Sequence, residues 1–184
     1  MNQKTDLSSY NNAPFRPGGT ALKRFLWFYL NAFFLKTSFV PFNGFKVFLL
    51  RLFGAKVGKG IVIKPCVNIK YPWHLHIGDH TWIGENVWID CLVPVVIGSN
   101  VCISQGAVLI TGNHNYKKAS FDLIVAGFIL EDGVWIGAGA MVMPGVKAAT
   151  HAVLTSGSVA TGDLEAYTVY QGNPAVKVRD RVVN

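Results

Sequence analysis

An aliphatic residue recurs at every sixth position through most of the chain. Val57, Ile63 and Ile69 begin the series, followed by Ile77, Ile83 and Ile89, then Ile97, Ile103 and Leu109. It resumes at Leu130, Ile136, Val142, Ala148, Leu154 and Ala160. Steps of eight separate Ile69 from Ile77 and Ile89 from Ile97, so the phase slips by two after each of the first two sets of three. An amphipathic helix repeats near 3.6 residues and a half-buried strand at two, so neither produces a step of six. A triangular coil does. Three short strands form its sides, each anchor points inward, and the Gly or small residue that often follows eases the corner. Coils stacked about 4.8 Å apart by parallel pairing bury the anchors as continuous ladders. The pattern predicts a mainly β chain with a parallel β-solenoid over residues 56–165.

The segments outside the repeat read differently. Residues 1–19, with SSYNNAPFRPGG, are expected to be loosely ordered. Residues 20–55 predict one or two short helices broken near Pro41 and Gly44, and residues 166–184 a polar tail around GNPAVKVRDR. This divides the chain into an N-terminal tail and helical segment, 1–55, and a solenoid domain with its C-terminal tail, 56–184. The six-step is lost between Leu109 and Leu130, where a loop is extruded. Long loops on repetitive scaffolds commonly carry function. His114, in ITGNHNY, stands near the start of this one.

Charge sharpens the division. The chain carries 17 Lys and Arg against 10 Asp and Glu, a formal net charge of +7. Eleven of the basic residues and only one acid, Asp6, fall within residues 1–70, net +10 (11 minus 1), which leaves the remainder at −3 (6 minus 9). Ten of the 12 phenylalanines lie before residue 55. A basic, aromatic segment of this kind suits an anionic membrane surface, but an amphipathic helical cap on the main core is the preferred reading of its principal role. It does not read as a spanning helix, because Lys23, Arg24, Asn31 and Lys36 interrupt the apolar runs. No cleavable signal is recognisable either, so a cytoplasmic protein is expected, peripheral to the inner membrane face if residues 20–55 make that contact. Cys66, Cys91 and Cys102 share no CxxC spacing and are expected to be small buried residues in a reducing compartment. No nucleic-acid partner and no metal are expected.

IGDHTWIGENVWID, IGSNVCISQGAVLITGNHNY, LEDGVWIGAGAMVMPGV and YQGNPAVKVRDR together resemble the hexapeptide-repeat acyltransferases, and most closely their colanic acid biosynthesis branch, from about residue 20 to 182. The resemblance implies a left-handed parallel β-helix, a homotrimer, and acetyl-coenzyme A bound in the groove between subunits. It implies transfer of an acetyl group to a sugar hydroxyl in polysaccharide or glycolipid synthesis. His114 takes the position of the family's general base; imidazoles titrate close to neutral pH and can accept the hydroxyl proton as the oxygen attacks the thioester. Trp135, Ala138, Ser156, Thr161 and Arg179 match cofactor-contacting positions, with Lys177 and Arg181 as further candidates for a phosphate. A backbone N–H at Gly137 or Ala138 is expected to stabilise the oxyanion. Asp90 and Asn115 are the candidate acceptor contacts. Asn115 stands where relatives commonly have Asp, Cys91 where they often have Asn, and Ala148-Ala149 lacks the usual Ile-Gly pair.

Two other functions fit the scaffold. Carbonic anhydrases of the γ type bind zinc through three histidines on a trimeric β-helix, and convergent ligands are what zinc requires. The extruded loop offers only His114, with Ala119 five residues on, and His74, His76, His80 and His151 read as surface or corner residues. A non-catalytic β-solenoid that binds a partner through its aromatic N-terminal segment is the other.

Overall fold

Fourteen of the 15 six-step anchors are buried, and Val57, at the start of the series, is half-buried. The computed structural model describes residues 4–184 and shows why. The chain winds into a three-sided prism in which equivalent anchors stack coil upon coil, Ile63 beside Ile83, Ile103, Ile136 and Leu154. Each fully buried aliphatic side chain contributes about 1.5–3 kcal/mol by leaving water.

The first face is built from Lys56–Val57, Leu75–Ile77, Val95–Ile97, Ile129–Leu130 and Lys147–Ala148. The second contains Val62–Ile63, Trp82–Ile83, Cys102–Ile103, Trp135–Ile136 and Val153–Leu154. The third contains Asn68–Ile69, Trp88–Ile89, Val108–Leu109, Met141–Val142 and Val159–Ala160. All of these strands pair in parallel, as the six-step predicts. The residue two before each anchor is buried as well, among them Val67, Val87, Val101, Val134 and Val146. That second ladder is harder to see in the sequence because Thr81 and Ser158 interrupt it. Thr81 is tolerated inside because its hydroxyl donates to Gly98 O at 2.8 Å and accepts from Val101 N at 3.2 Å.

The corners correct one expectation. Glycine directly after an anchor is there for close approach of coils, not for a left-handed backbone: a Cβ on Gly84 would sit 2.6 Å from Gln105 N. Positive φ falls two residues later, at His80, Asn100 and His151 on one corner and Cys66 and Asn86 on the next.

Helices close the N-terminal end. The first, α1 (Ala21–Leu30), starts at a Thr20 cap and continues through a π-helical turn, Asn31–Leu35. The second, α2, spans Asn43–Leu52, so Gly44 lies inside it and the break falls before it, around Pro41. Their polar side chains satisfy the exposed rim of the first coil. Trp27 Nε1 donates to Ile69 O at 2.8 Å, and Asn43 bonds both Ile61 O and Ile63 N. Lys46, fully buried, donates to Lys64 O at 3.1 Å, and Arg51 reaches Val57 O and Gly58 O. Strand edges left bare are templates for aggregation, and this cap covers one. Burial pushes the Lys46 ammonium below its ordinary pKa.

Three further expectations are revised. Residues 166–184 are not simply a tail: Thr168–Gly172 extends the second face and turns back antiparallel as Ala175–Asp180. The arm over residues 4–19 is held rather than loose. Asp6 N donates to Ala119 O, and Pro17 O accepts from the Trp73 indole at 2.8 Å. Of the cysteines only Cys91 is buried; Cys66 and Cys102 are half-buried.

Candidate active site

The extruded loop is a β-hairpin, Gly112–His114 paired antiparallel with Leu123–Val125. It leaves the prism at the edge between the third and first faces, which is where both phase slips also fall. His114 ends its first strand, half-buried, with its ring stacked on Phe121 at 4.5 Å and 9° and with Tyr10 tilted against it at 5.8 Å and 54°. Leu7 completes the apolar pocket around it. His114 Nδ1 lies 2.8 Å from Phe121 O. A carbonyl can only accept, so this bond fixes the proton on Nδ1 and leaves the Nε2 lone pair free to take a proton. The imidazole is thus oriented by a backbone carbonyl. Asn115 turns its own amide oxygen to Lys117 N at 3.1 Å, capping the hairpin turn. Phe121 and Tyr10 were not foreseen; the one available signal was an aromatic residue in a loop otherwise rich in polar residues.

A second groove lies on the outer surface of the second face. Trp135, Ser156 and Arg179 line it together with Thr155, Val153 and Val169. The outward row here is Trp82, Cys102, Trp135, Val153 and Val169, and Trp135, exposed, donates from its indole to Ser104 Oγ at 2.9 Å. A register shift between Val169 and Tyr170 pairs Val169 with Arg179 but Tyr170 with Lys177. Directly paired residues share a face, so the shift puts Arg179 on the groove side and Lys177 on the other. As candidates for a phosphate the two are thereby separated. Lys177 is occupied by Glu165 at 3.0 Å and Asp180 at 3.4 Å, and the Glu165 hydrogen bond leads the rise in its pKa. Arg181 is a strut, donating to Gly133 O and His151 O. The Arg179 side chain makes no hydrogen bond or ion pair among the described residues, and it is the free cation of this groove.

The other candidates are dispersed. Gly137 N–H is consumed by Leu154 O at 2.8 Å, whereas Ala138 N–H meets no protein acceptor among the described residues. Thr161 is exposed beyond the last strand of the third face, one edge away from Ser156. Asp90 is 6% exposed, with Oδ1 3.3 Å from Lys70 Nζ and no hydrogen bond to that oxygen. It packs against Gly112 at the base of the hairpin. His74 contacts Pro17 O, His151 stacks on Tyr167 at 4.7 Å, and His76 and His80 are exposed. Among the described residues no three His, Cys, Asp or Glu side chains form a metal-binding group.

Within one chain, His114 stands on the edge between the third and first faces, while Trp135 and Arg179 stand on the second face. The prism lies between them.

No family model matches the chain. It is 37% identical over 177 residues to WcaF of Escherichia coli (strain K12), an acetyltransferase whose name assigns it to colanic acid biosynthesis, covering 96% of this chain and 97% of that protein. It is 28% identical over 135 residues to the galactoside O-acetyltransferase of the same organism, covering 72% and 66%. Among solved structures, a hexapeptide-repeat acetyltransferase of Vibrio cholerae complexed with acetyl-coenzyme A superposes with a TM-score of 0.78 at 23% identity, covering 88% of each chain. That likeness is one of fold.

Proposed function

The chain belongs to the hexapeptide-repeat acetyltransferases, left-handed parallel β-helices, and from that premise we propose that it moves an acetyl group from acetyl-coenzyme A to a sugar hydroxyl in polysaccharide or glycolipid synthesis. The observation that carries the mechanism is the Nδ1 bond to Phe121 O, which leaves Nε2 of His114 as the base. The residues of the second-face groove suit the donor: Trp135 offers a flat apolar wall, and Arg179 a cation without an internal partner for a phosphate. When bound, acetyl-coenzyme A supplies an activated acetyl thioester. His114 Nε2 takes the acceptor hydroxyl proton as the new C–O bond forms, and returns it to the sulfur as the C–S bond breaks. Ala138 N–H is the backbone donor for charge on the acyl oxygen. Ser156 and Thr161 serve as donor contacts and Asp90 as an acceptor contact; Asn115 shapes the hairpin that holds His114.

Because the base and the donor groove occupy separate parts of one prism, the complete site needs a second copy, and a homotrimer supplies each groove with a neighbour's hairpin. His114→Ala is expected to lower turnover at least about 100-fold with coenzyme A affinity unchanged. Turnover close to wild type would remove the mechanism.

The cap has a second role in this reading. Its outer side exposes Leu22, Phe25, Phe33, Phe42, Phe48 and Leu52, with basic residues around it and no acid between residues 7 and 78. Among the described residues no helix is long and apolar enough to cross a membrane. An apolar, cationic surface fits the face of an anionic bilayer, where the rings bury and the lysines meet phosphate. The protein is expected to sediment with phosphatidylglycerol vesicles and to be released by Phe25→Ser with Phe48→Ser. Failure to sediment at low salt would refute this contact.

A further inference from the structure

A cleft of about 580 Å³ lies between α1 and the outer surface of the third face. Its walls are aromatic: Phe28 and Tyr29 from the helix, Tyr71 and Trp88 from the coils. Trp88 stays 42% exposed there, although it sits in a strand, and Tyr71 is braced from behind by Trp73 at 5.0 Å and 21°. The floor is polar and already satisfied, Asn31 Nδ2 donating to Asn68 Oδ1 at 2.8 Å. Three cations line the cleft, Arg24, Lys36 and Lys70, and no carboxylate does. Arg24 spends only Nη1, on Gly18 O and Gly19 O, and Lys36 has no ion pair among the described residues. Lys70 has one, with the buried Asp90, and this tethers its ammonium at the edge of the cleft.

Three like charges gathered around aromatic walls are poorly matched to a neutral ligand and well matched to an anion carrying a ring. The position of the cleft gives it a use. The Lys70–Asp90 pair abuts Gly112, where the hairpin bearing His114 begins. We propose that this cleft is the acceptor subsite and that the acceptor is a glycoside bearing a phosphate or diphosphate, the sugar stacking on Trp88 and Tyr71 while Arg24, Lys36 and Lys70 hold the phosphate. The inference rests on the acetyltransferase reading and narrows its substrate class. Neither the base nor the donor groove supplies this selectivity; it comes from the cleft that the cap helix forms with the first coils.

Calorimetry with inorganic pyrophosphate tests the cleft without requiring turnover. The donor groove also has a cation, so the titration uses Arg179→Glu protein to silence that site. Binding is expected to survive Arg179→Glu and to weaken at least about tenfold on adding Lys36→Glu, with Lys56→Glu, exposed on the first face, as an inert control. Trp88→Ala is expected to weaken glucose 1-phosphate but not pyrophosphate. Binding lost with Arg179→Glu and untouched by Lys36→Glu overturns the proposal. Competition of pyrophosphate by UDP-glucose against a short prenyl diphosphate glucose then separates a soluble from a lipid-linked source. Acetyl transfer to glucose and glucose 1-phosphate with equal KM would overturn this subsite while leaving the acetyltransferase reading standing; transfer to no sugar at all, with pyrophosphate still held in the cleft, would refute that reading instead.

Discussion

The turns that follow the first and second faces are four residues long and set their third residue at positive φ in every coil, whereas the turns that follow the third face differ from coil to coil. One of these contains the 3-10 turn Pro72–His74, the next the buried run Asp90–Leu92, and the next the 19-residue excursion that carries His114. Repetition is a local rule that makes a rigid prism cheaply in sequence information. Departures from it gather on one edge, which leaves the other two undisturbed, and in the proposed reading that edge carries the base while a regular face carries the donor groove.

That contrast is open to test. On the regular side, Ile103→Ala removes a fully stacked anchor and is expected to cost about 3 kcal/mol of stability, read by denaturant unfolding, with activity per folded molecule unchanged. His114→Ala should show the opposite, a loss of about 100-fold in turnover with the unfolding midpoint moved little. A smaller effect probes whether the irregular edge is packed as well as the faces. Burial pushes the Cys91 thiol up to about 12, so at pH 8 iodoacetamide should modify Cys66 and Cys102 and spare Cys91, as counted by mass spectrometry. Alkylation of all three at equal rates would mean an edge that opens freely.

The repeat was legible because one physical demand, an aliphatic residue facing the prism axis, recurs unchanged from Ile63 to Ala160. The phase slips located the irregular edge, and the lost repeat located the hairpin. Resemblance then put Trp135, Ala138, Ser156, Thr161 and Arg179 in one set, and Trp135, Ser156 and Arg179 line one groove while Ala138 and Thr161 do not. What stayed hidden depends on register or on backbone contacts. Lys177 and Arg179, two apart, look like neighbours on one strand face until a bulge divides them. The arm over residues 4–19 looks unstructured because its attachments are largely main-chain groups, such as Asp6 N and Pro17 O, which carry no side-chain signature. Asn115, where relatives commonly have Asp, caps the hairpin turn, and the group that orients the imidazole is a carbonyl that any residue at 121 would provide.

The central claim is that the base and the donor groove come from different copies of the chain. Co-expression of His114→Ala and Arg179→Glu chains, each inactive alone at low acetyl-coenzyme A, tests it directly. Random assembly gives about a quarter of the interfaces an intact hairpin facing an intact groove, so recovery of about a quarter of wild-type activity is predicted. Mixed oligomers with no more activity than either parent would contradict it.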